Sequence, residues 1–218
     1  MDNTLEEISR EKFYMTDKGK YINNILSKPG LNIWELYDLF FKQYKEKEIN
    51  FLEFGFGADG DCLRTFAEYF SNAKHIIGVD YEPKFVNGIK FEDPRIKTHQ
   101  ADQHDLNSMN NLADKFRKEN IKFDIIVEDA AHTPLGIRNS ILSFFDLLNE
   151  GGLFVIEGTY MLIGELNNGK HNVLTELQIA ANEDTNKWPW KAICQEVQSV
   201  YTCRGITVIR KGPHMTNL

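Results

Sequence analysis

Short apolar runs that end at or beside an acidic residue recur along this chain, and segments of helical periodicity separate them. The runs are predicted strands at 50–54, 75–80, 96–101, 123–129 and 153–157. Strands that alternate with helices predict a parallel sheet with helices on both faces. A further pair of runs at 192–201 and 204–211 predicts an antiparallel hairpin at the sheet edge. We therefore expect an α/β fold: a doubly wound, Rossmann-like sheet of about seven strands, mostly parallel with an antiparallel edge hairpin.

A helix precedes the first strand, because Ile33, Leu36, Tyr37 and Phe40 follow one another at helical spacing and the pattern continues to about Lys45. Another predicted helix runs from Pro134 to Leu148. Residues 158–172 contain three glycines and are interpreted as a loop over the strand ends. The whole chain, 1–218, is predicted to be a single domain, with an N-terminal helical extension at 1–47 and a Rossmann-like core at 48–218.

The first predicted strand runs into a glycine-rich turn and then a helix, in the sequence INFLEFGFGADGD. Such a turn is where nucleotide-like ligands sit on an open α/β sheet. Gly55, Gly57 and Gly60 form the pattern G-x-G-x-x-G, which alone fits NAD as well as other adenine cofactors. The carboxylate of Glu53 is a poor neighbour for a pyrophosphate but suits the ammonium and sulfonium of S-adenosylmethionine. Asp80, at the end of the next strand, can accept from ribose hydroxyls of either cofactor.

Composition excludes some classes of protein. The chain has 218 residues and a formal net charge of −7, so we expect no nucleic-acid partner, which would need a basic face. No apolar run approaches the ~20 residues of a membrane span, and we expect no membrane insertion. The three cysteines show no C-x-x-C spacing, and the first residues lack the apolar segment of a signal peptide. A cytoplasmic location is the expectation.

Several ordered motifs resemble one enzyme family. They are TDKG at 16–19, LYDLF at 36–40, LEFGFGADGD at 52–61, ADQHD at 101–105, EDAAH at 128–132 and LLNEGGLFVIE at 147–157. Together with the edge hairpin, this set resembles the class I S-adenosylmethionine-dependent methyltransferases. More narrowly, it is similar to the mycinamicin and macrocin sugar O-methyltransferases and to the cephalosporin-hydroxylase-like proteins. The motifs span nearly the whole chain in the family's order.

The resemblance implies S-adenosylmethionine as the cofactor, with the TDKG turn closing over it. The residues implied to hold the cofactor are Thr16, Lys18, Glu53, Gly55, Gly57, Asp80, Tyr81, Asp102, Gln103 and Asp129. Asp102 could accept a hydrogen bond from the adenine amino group.

The resemblance also implies catalytic roles for Asp129 and His132. His132 would be the general base that removes the proton of the acceptor hydroxyl. Asp129 and Glu157 would ligate a divalent metal, for which their carboxylates imply Mg²⁺. The family has an acidic pair at the end of the fifth strand, whereas this chain has Glu157 followed by Gly158. This difference leaves metal use open.

The expected function is therefore transfer of a methyl group from S-adenosylmethionine to a saccharide hydroxyl, on a sugar nucleotide or on a polysaccharide or natural-product precursor. Two alternatives stay open: an NAD-dependent oxidoreductase on the same glycine pattern, and a methyltransferase-like protein that binds the cofactor without catalysis. The N-terminal helix and the long loop are the surfaces on which we expect any homo-oligomer to form.

Overall fold

The structure is a computed structural model that describes residues 3–12, 33–159, 193, 195–203 and 205–213. In chain order its elements are α1 (Leu5–Glu11), α2 (Ile33–Phe41), a 3₁₀ turn (Lys42–Tyr44), β1 (Asn50–Phe54), α3 (Asp61–Tyr69), β2 (His75–Asp80), α4 (Pro83–Gly88), β3 (Ile96–Gln100), α5 (Leu106–Lys118), β4 (Phe123–Glu128), α6 (Pro134–Phe144), a 3₁₀ turn (Phe145–Leu147), β5 (Leu148–Glu157), β6 (Val197–Cys203) and β7 (Ile206–Lys211).

The strands form one sheet in the order β3-β2-β1-β4-β5-β7-β6. The first five strands of that order pair in parallel, whereas β7 pairs antiparallel with both β5 and β6. The predicted doubly wound sheet with an antiparallel edge hairpin is confirmed. Within this sheet β1 lies beside β2 on one side and β4 on the other, so the strand order reverses next to β1.

Each face of the sheet buries its own apolar cluster, because successive residues of a strand point to opposite faces. Phe51, on one face, belongs to the cluster that contains α1, α2 and α3, whereas Leu52 belongs to the cluster of α5 and α6. The N-terminal helix α2 is part of the first cluster through Trp34, Tyr37 and Phe41, which are all fully buried. The predicted N-terminal helix is therefore present, and it closes one face of the core.

The boundary between α6 and β5 differs from the sequence prediction. The helix that was expected to reach Leu148 ends at Phe144, and a 3₁₀ turn leads into a strand that begins five residues before Leu153. The extra strand residues pair through a bulge, since Phe123 faces Leu148 while Ile125 faces Leu153. Gly151 lies in this bulge with a φ of +79°, which explains why a glycine pair occurs inside a strand rather than after a helix.

Among the described residues, no helix is long and apolar enough to cross a membrane. The predicted loop at 158–172 is described only at its first two residues.

Candidate active site

The reversal of strand order beside β1 defines the place for a ligand. In open α/β sheets the crevice opens at the carboxyl ends of the strands, where the connections on the two sides diverge. Here the turn after β1 and the turn after β4 are neighbours, because the backbone N–H of Asp129 donates to the carbonyl of Phe54 at 3.0 Å. The glycine turn and the EDAAH motif of the sequence therefore meet at one point.

Gly55 permits this close approach. Its φ is +83°, and a Cβ at this position would lie 2.3 Å from the carbonyl oxygen of Asp129 and 2.5 Å from the Cα of Ala130. Any side chain would separate the two turns. Gly57 is different, because a Cβ there would meet no atom within 4 Å. Its backbone borders open space, as is expected of a turn that a ligand approaches closely.

The carboxylates predicted to contact the cofactor lie at different depths around this crevice. Glu53 is fully buried in β1, and Asp80 is almost fully buried at the end of β2. The Oδ1 atom of Asp80 accepts from the backbone N–H of Glu82 at 2.9 Å, which fixes the carboxylate at the strand end. Tyr81 follows with 67% of its surface exposed, and Asp102 is exposed after β3. Thr16 and Lys18 lie outside the described residues.

Gln103 joins two of the family-like motifs. Its Nε2 donates to Oε1 of Glu128 at 2.7 Å, and its Oε1 accepts from the backbone N–H of Ala131 at 2.6 Å. The neighbouring His104 contacts Oγ1 of Thr133 through Nε2 at 2.8 Å. The turn after β3 therefore holds the turn after β4 in place. The side-chain amide of Gln103 is engaged in these bonds, and its predicted contact with the cofactor stays a prediction.

Glu128 is a carboxyl group at the end of β4 for which the sequence predicted no role. It is fully buried, and desolvation raises its pKa to about 7, with the charge of Glu157 acting in the same direction. The hydrogen bond from Gln103 acts against this shift but does not cancel it. Strand alternation could have revealed Glu128, since it shares a face with Ile126 in β4, opposite to Val127.

Asp129 and His132 form a pair, and the catalytic roles that the resemblance implies for them stay predictions. The Nε2 of His132 lies 3.5 Å from Oδ1 of Asp129, and their side chains are 23% and 7% exposed. The backbone of His132 is left-handed, with a φ of 51°, which is uncommon outside glycine. The Nδ1 atom is buried and has no hydrogen-bond partner among the described residues.

Gly158, which stands where the family has an acid, contacts this imidazole. Its φ is +67°, and a Cβ built on it would lie 2.4 Å from Nδ1 and 2.7 Å from Cγ of His132. The ring therefore occupies the space that a side chain at 158 would enter.

Glu157, the second predicted metal ligand, is buried at the end of β5. Its Oε1 accepts a hydrogen bond from the hydroxyl of Tyr37, which lies in α2. No sequence pattern connects two residues so far apart, although Tyr37 lies in the family-like LYDLF segment. Within the ranges that the structure describes, no group of three or more His, Cys, Asp or Glu side chains could hold a metal ion.

The fold of the chain identifies the structural class of proteins that it resembles. The sheet order, the glycine turn after β1 and the antiparallel edge strands are those of the class I methyltransferase fold. Solved structures with this fold superpose on the chain. The O-methyltransferase TomG from Streptomyces achromogenes, in complex with SAM, matches 95% of this chain and 87% of its own with a TM-score of 0.57 and 13% identity.

The particular resemblance is to the macrocin and mycinamicin sugar O-methyltransferases. The chain is 32% identical over 127 residues to demethylmacrocin O-methyltransferase of Streptomyces fradiae and 30% identical over 127 residues to mycinamicin VI 2''-O-methyltransferase of Micromonospora griseorubida. Each match covers 56% of this chain and 30% of the relative. The mycinamycin-pathway methyltransferase MycE, in complex with Mg, SAH and mycinamycin VI, superposes with a TM-score of 0.75 at 22% identity, over 96% of this chain and 55% of that one. No family model matches the chain.

Proposed function

We propose that this chain is an S-adenosylmethionine-dependent O-methyltransferase that acts on a saccharide hydroxyl. One observation carries the proposal: the Asp129–His132 pair lies at the end of the strand next to β1, directly beside the glycine turn. A methyl acceptor has to lie between a cofactor on that turn and a group that takes its proton. The arrangement would supply both a cofactor-binding turn and a proton acceptor.

The residues around the glycine turn fit this cofactor. Glu53 places a buried carboxylate near the start of the turn, where it suits a cationic ligand better than a pyrophosphate. Gly57 leaves open space for close backbone approach. Asp80 can accept from ribose hydroxyls at the end of β2, which is the usual place for a ribose-binding acid. S-adenosylmethionine, when bound, supplies a methyl group that its sulfonium has already activated.

His132 is the proposed general base. We assign the ring hydrogen to Nε2, which faces the carboxylate of Asp129, so that the lone pair lies on Nδ1. Nδ1 then accepts the proton of the acceptor hydroxyl, and Asp129 stabilises the imidazolium that results. The contact between hydroxyl and Nδ1 forms in the substrate complex, as catalytic hydrogen bonds often do.

Asp129 and Glu157 are the residues that would hold Mg²⁺, with water completing the coordination. Two carboxylates suffice for this metal because it retains several waters. The hydrogen bond from Tyr37 to Glu157 suits such a role, since ligating carboxylates are oriented by their own hydrogen bonds. A divalent ion there would lower the pKa of the acceptor hydroxyl and orient it. Removal of divalent ions with EDTA is then expected to slow turnover, and Mg²⁺ to restore it.

The saccharide acceptor is proposed from the relatives, whose names describe O-methylation of demethylmacrocin, of mycinamicin VI and of a rhamnosyl tetracenomycin. We further propose that 1–218 acts as one domain, in the cytoplasm, with no nucleic-acid partner.

The test is a methyl-transfer screen. The chain is incubated with S-adenosylmethionine and a panel of sugar nucleotides and glycosides, and mass spectrometry detects products that have gained one methyl group. Methylated product, together with an equal amount of S-adenosylhomocysteine, is expected for at least one acceptor. The variant His132→Ala is the control, since it should bind the cofactor but form little product. Failure of the wild-type chain to bind either form of the cofactor would refute the proposal.

A further inference from the structure

We infer that Gly158 is a positioning residue for His132, and that the imidazole occupies the space that a second acid would need at the end of β5. The inference rests on the proposed function for its catalytic part, whereas its steric part concerns the folded chain alone. The family resemblance implies that Gly158 replaces an acid that binds metal. The structure instead indicates a steric role for this glycine, next to the imidazole of His132.

The contact distances carry the argument. A Cβ on Gly158 would lie 2.4, 2.7 and 2.9 Å from three atoms of the imidazole ring, whereas ordinary van der Waals contact begins at 3.4 Å. The ring would have to move by about 1 Å to accommodate even a methyl group. The contact involves the body of the ring rather than the end of a flexible chain, and the left-handed backbone of His132 limits the directions in which the ring can move.

The atom that would lie closest to this Cβ is Nδ1, the nitrogen that we assign as the proton acceptor. A side chain at 158 would therefore displace the ring, and with it the nitrogen that we assign as the proton acceptor. A misplacement of about 1 Å at a reacting centre can cost roughly 10²-fold in rate. We therefore expect Gly158→Ala to lower kcat by about 10²-fold while S-adenosylmethionine binding, which uses the turn after β1, stays within twofold of wild type.

Gly158 also has a positive φ, so alanine there carries backbone strain in addition to the contact with the ring. Gly151→Ala is the matched control. Gly151 lies in β5, the strand that Gly158 directly follows, with a φ of +79°, and a Cβ there would meet no atom within 4 Å. This variant should lose some thermal stability but retain wild-type kcat.

A double-mutant cycle separates the steric role from other effects. In the background of His132→Ala the ring is gone, so Gly158→Ala should lower the remaining kcat no further and should reduce the melting temperature less than it does in wild type. The melting-temperature cycle needs no acceptor, so its outcome holds even if methyl transfer is not found. Equal melting-temperature losses in the two backgrounds, or an equal loss of kcat in both, would overturn the inference.

The variant Gly158→Asp distinguishes two interpretations of the glycine, a lost metal ligand and a residue that makes room for the imidazole. If the glycine is only a lost metal ligand, an aspartate should raise kcat or lower the Mg²⁺ concentration needed for half-maximal rate. If the glycine makes room for the imidazole, kcat should fall by at least as much as with alanine at every Mg²⁺ concentration. A gain in kcat, or a lower Mg²⁺ requirement, would overturn the inference, provided the variant retains cofactor binding comparable to Gly158→Ala.

Discussion

Replacement of Glu128 by glutamine should change how the stability of the chain depends on pH. Glu128 is fully buried at the end of β4, and its carboxylate accepts from Nε2 of Gln103 at 2.7 Å. Desolvation raises its pKa from 4.5 to about 7. Glutamine keeps an oxygen that can accept the same hydrogen bond, but it cannot ionise.

The sign and size follow from proton linkage. Between pH 4.5 and about 7 the folded chain holds the proton on Glu128 while the unfolded chain releases it, so the free energy of unfolding falls as pH rises through this window. A rise in pKa from 4.5 to about 7 corresponds to about 3 kcal/mol over the whole window. From about pH 5.5 to about pH 8 the expected loss is about 2 kcal/mol. In Glu128→Gln, the free energy of unfolding should not show this decrease, because glutamine does not ionise.

Urea unfolding of the cofactor-free chain at these two pH values measures the effect. The difference in unfolding free energy between about pH 5.5 and about pH 8 should be about 2 kcal/mol smaller for Glu128→Gln than for wild type. The exposed Glu92→Gln is the control and should keep the pH dependence of wild type. Identical pH dependence of wild type and Glu128→Gln would refute the reasoning.

Three further substitutions test separate parts of the site. His132→Ala should lower kcat by about 10²- to 10⁴-fold with cofactor affinity unchanged in calorimetry, and retained turnover would exclude it as the base. Asp80→Asn should weaken S-adenosylmethionine binding roughly 10- to 100-fold, because a charged acceptor is lost to the ribose, and unchanged affinity would remove Asp80 from the site. Tyr37→Phe should lower the unfolding free energy by about 1–3 kcal/mol and raise the Mg²⁺ concentration needed for half-maximal rate, because Glu157 loses its donor. Stability and Mg²⁺ dependence that match wild type would contradict that role.

The sequence predicted the sheet because local patterns determine it. Apolar runs bounded by turns and helices give the strands, and their alternation gives the parallel topology. The sequence predicts the ends of helices and strands less well than the elements themselves. Gly151, for example, lies in a bulge inside β5, whereas the sequence places it between a helix and the strand. A glycine pair marks a break in helix or strand equally well, and only the pairing with β4 distinguishes the two.

The site was predictable to the extent that its residues lie at strand ends. Asp129 and His132 lie three positions apart on the turn after β4, so local spacing alone brings them close together. In contrast, the hydrogen bond between Tyr37 and Glu157 joins residues 120 positions apart, and the contact of Gly158 with the imidazole joins the ends of two different strands. Contacts of this kind depend on how the elements pack, and no periodicity in the sequence encodes them.

A calorimetric titration of the chain with S-adenosylmethionine, S-adenosylhomocysteine and NAD tests the cofactor assignment on which the proposed function depends. The buried carboxylate of Glu53 and the open space at Gly57 predict that the first two bind at a single site, and that S-adenosylhomocysteine competes with S-adenosylmethionine. NAD should show no binding. Binding of NAD without binding of either sulfur-containing ligand would contradict the account.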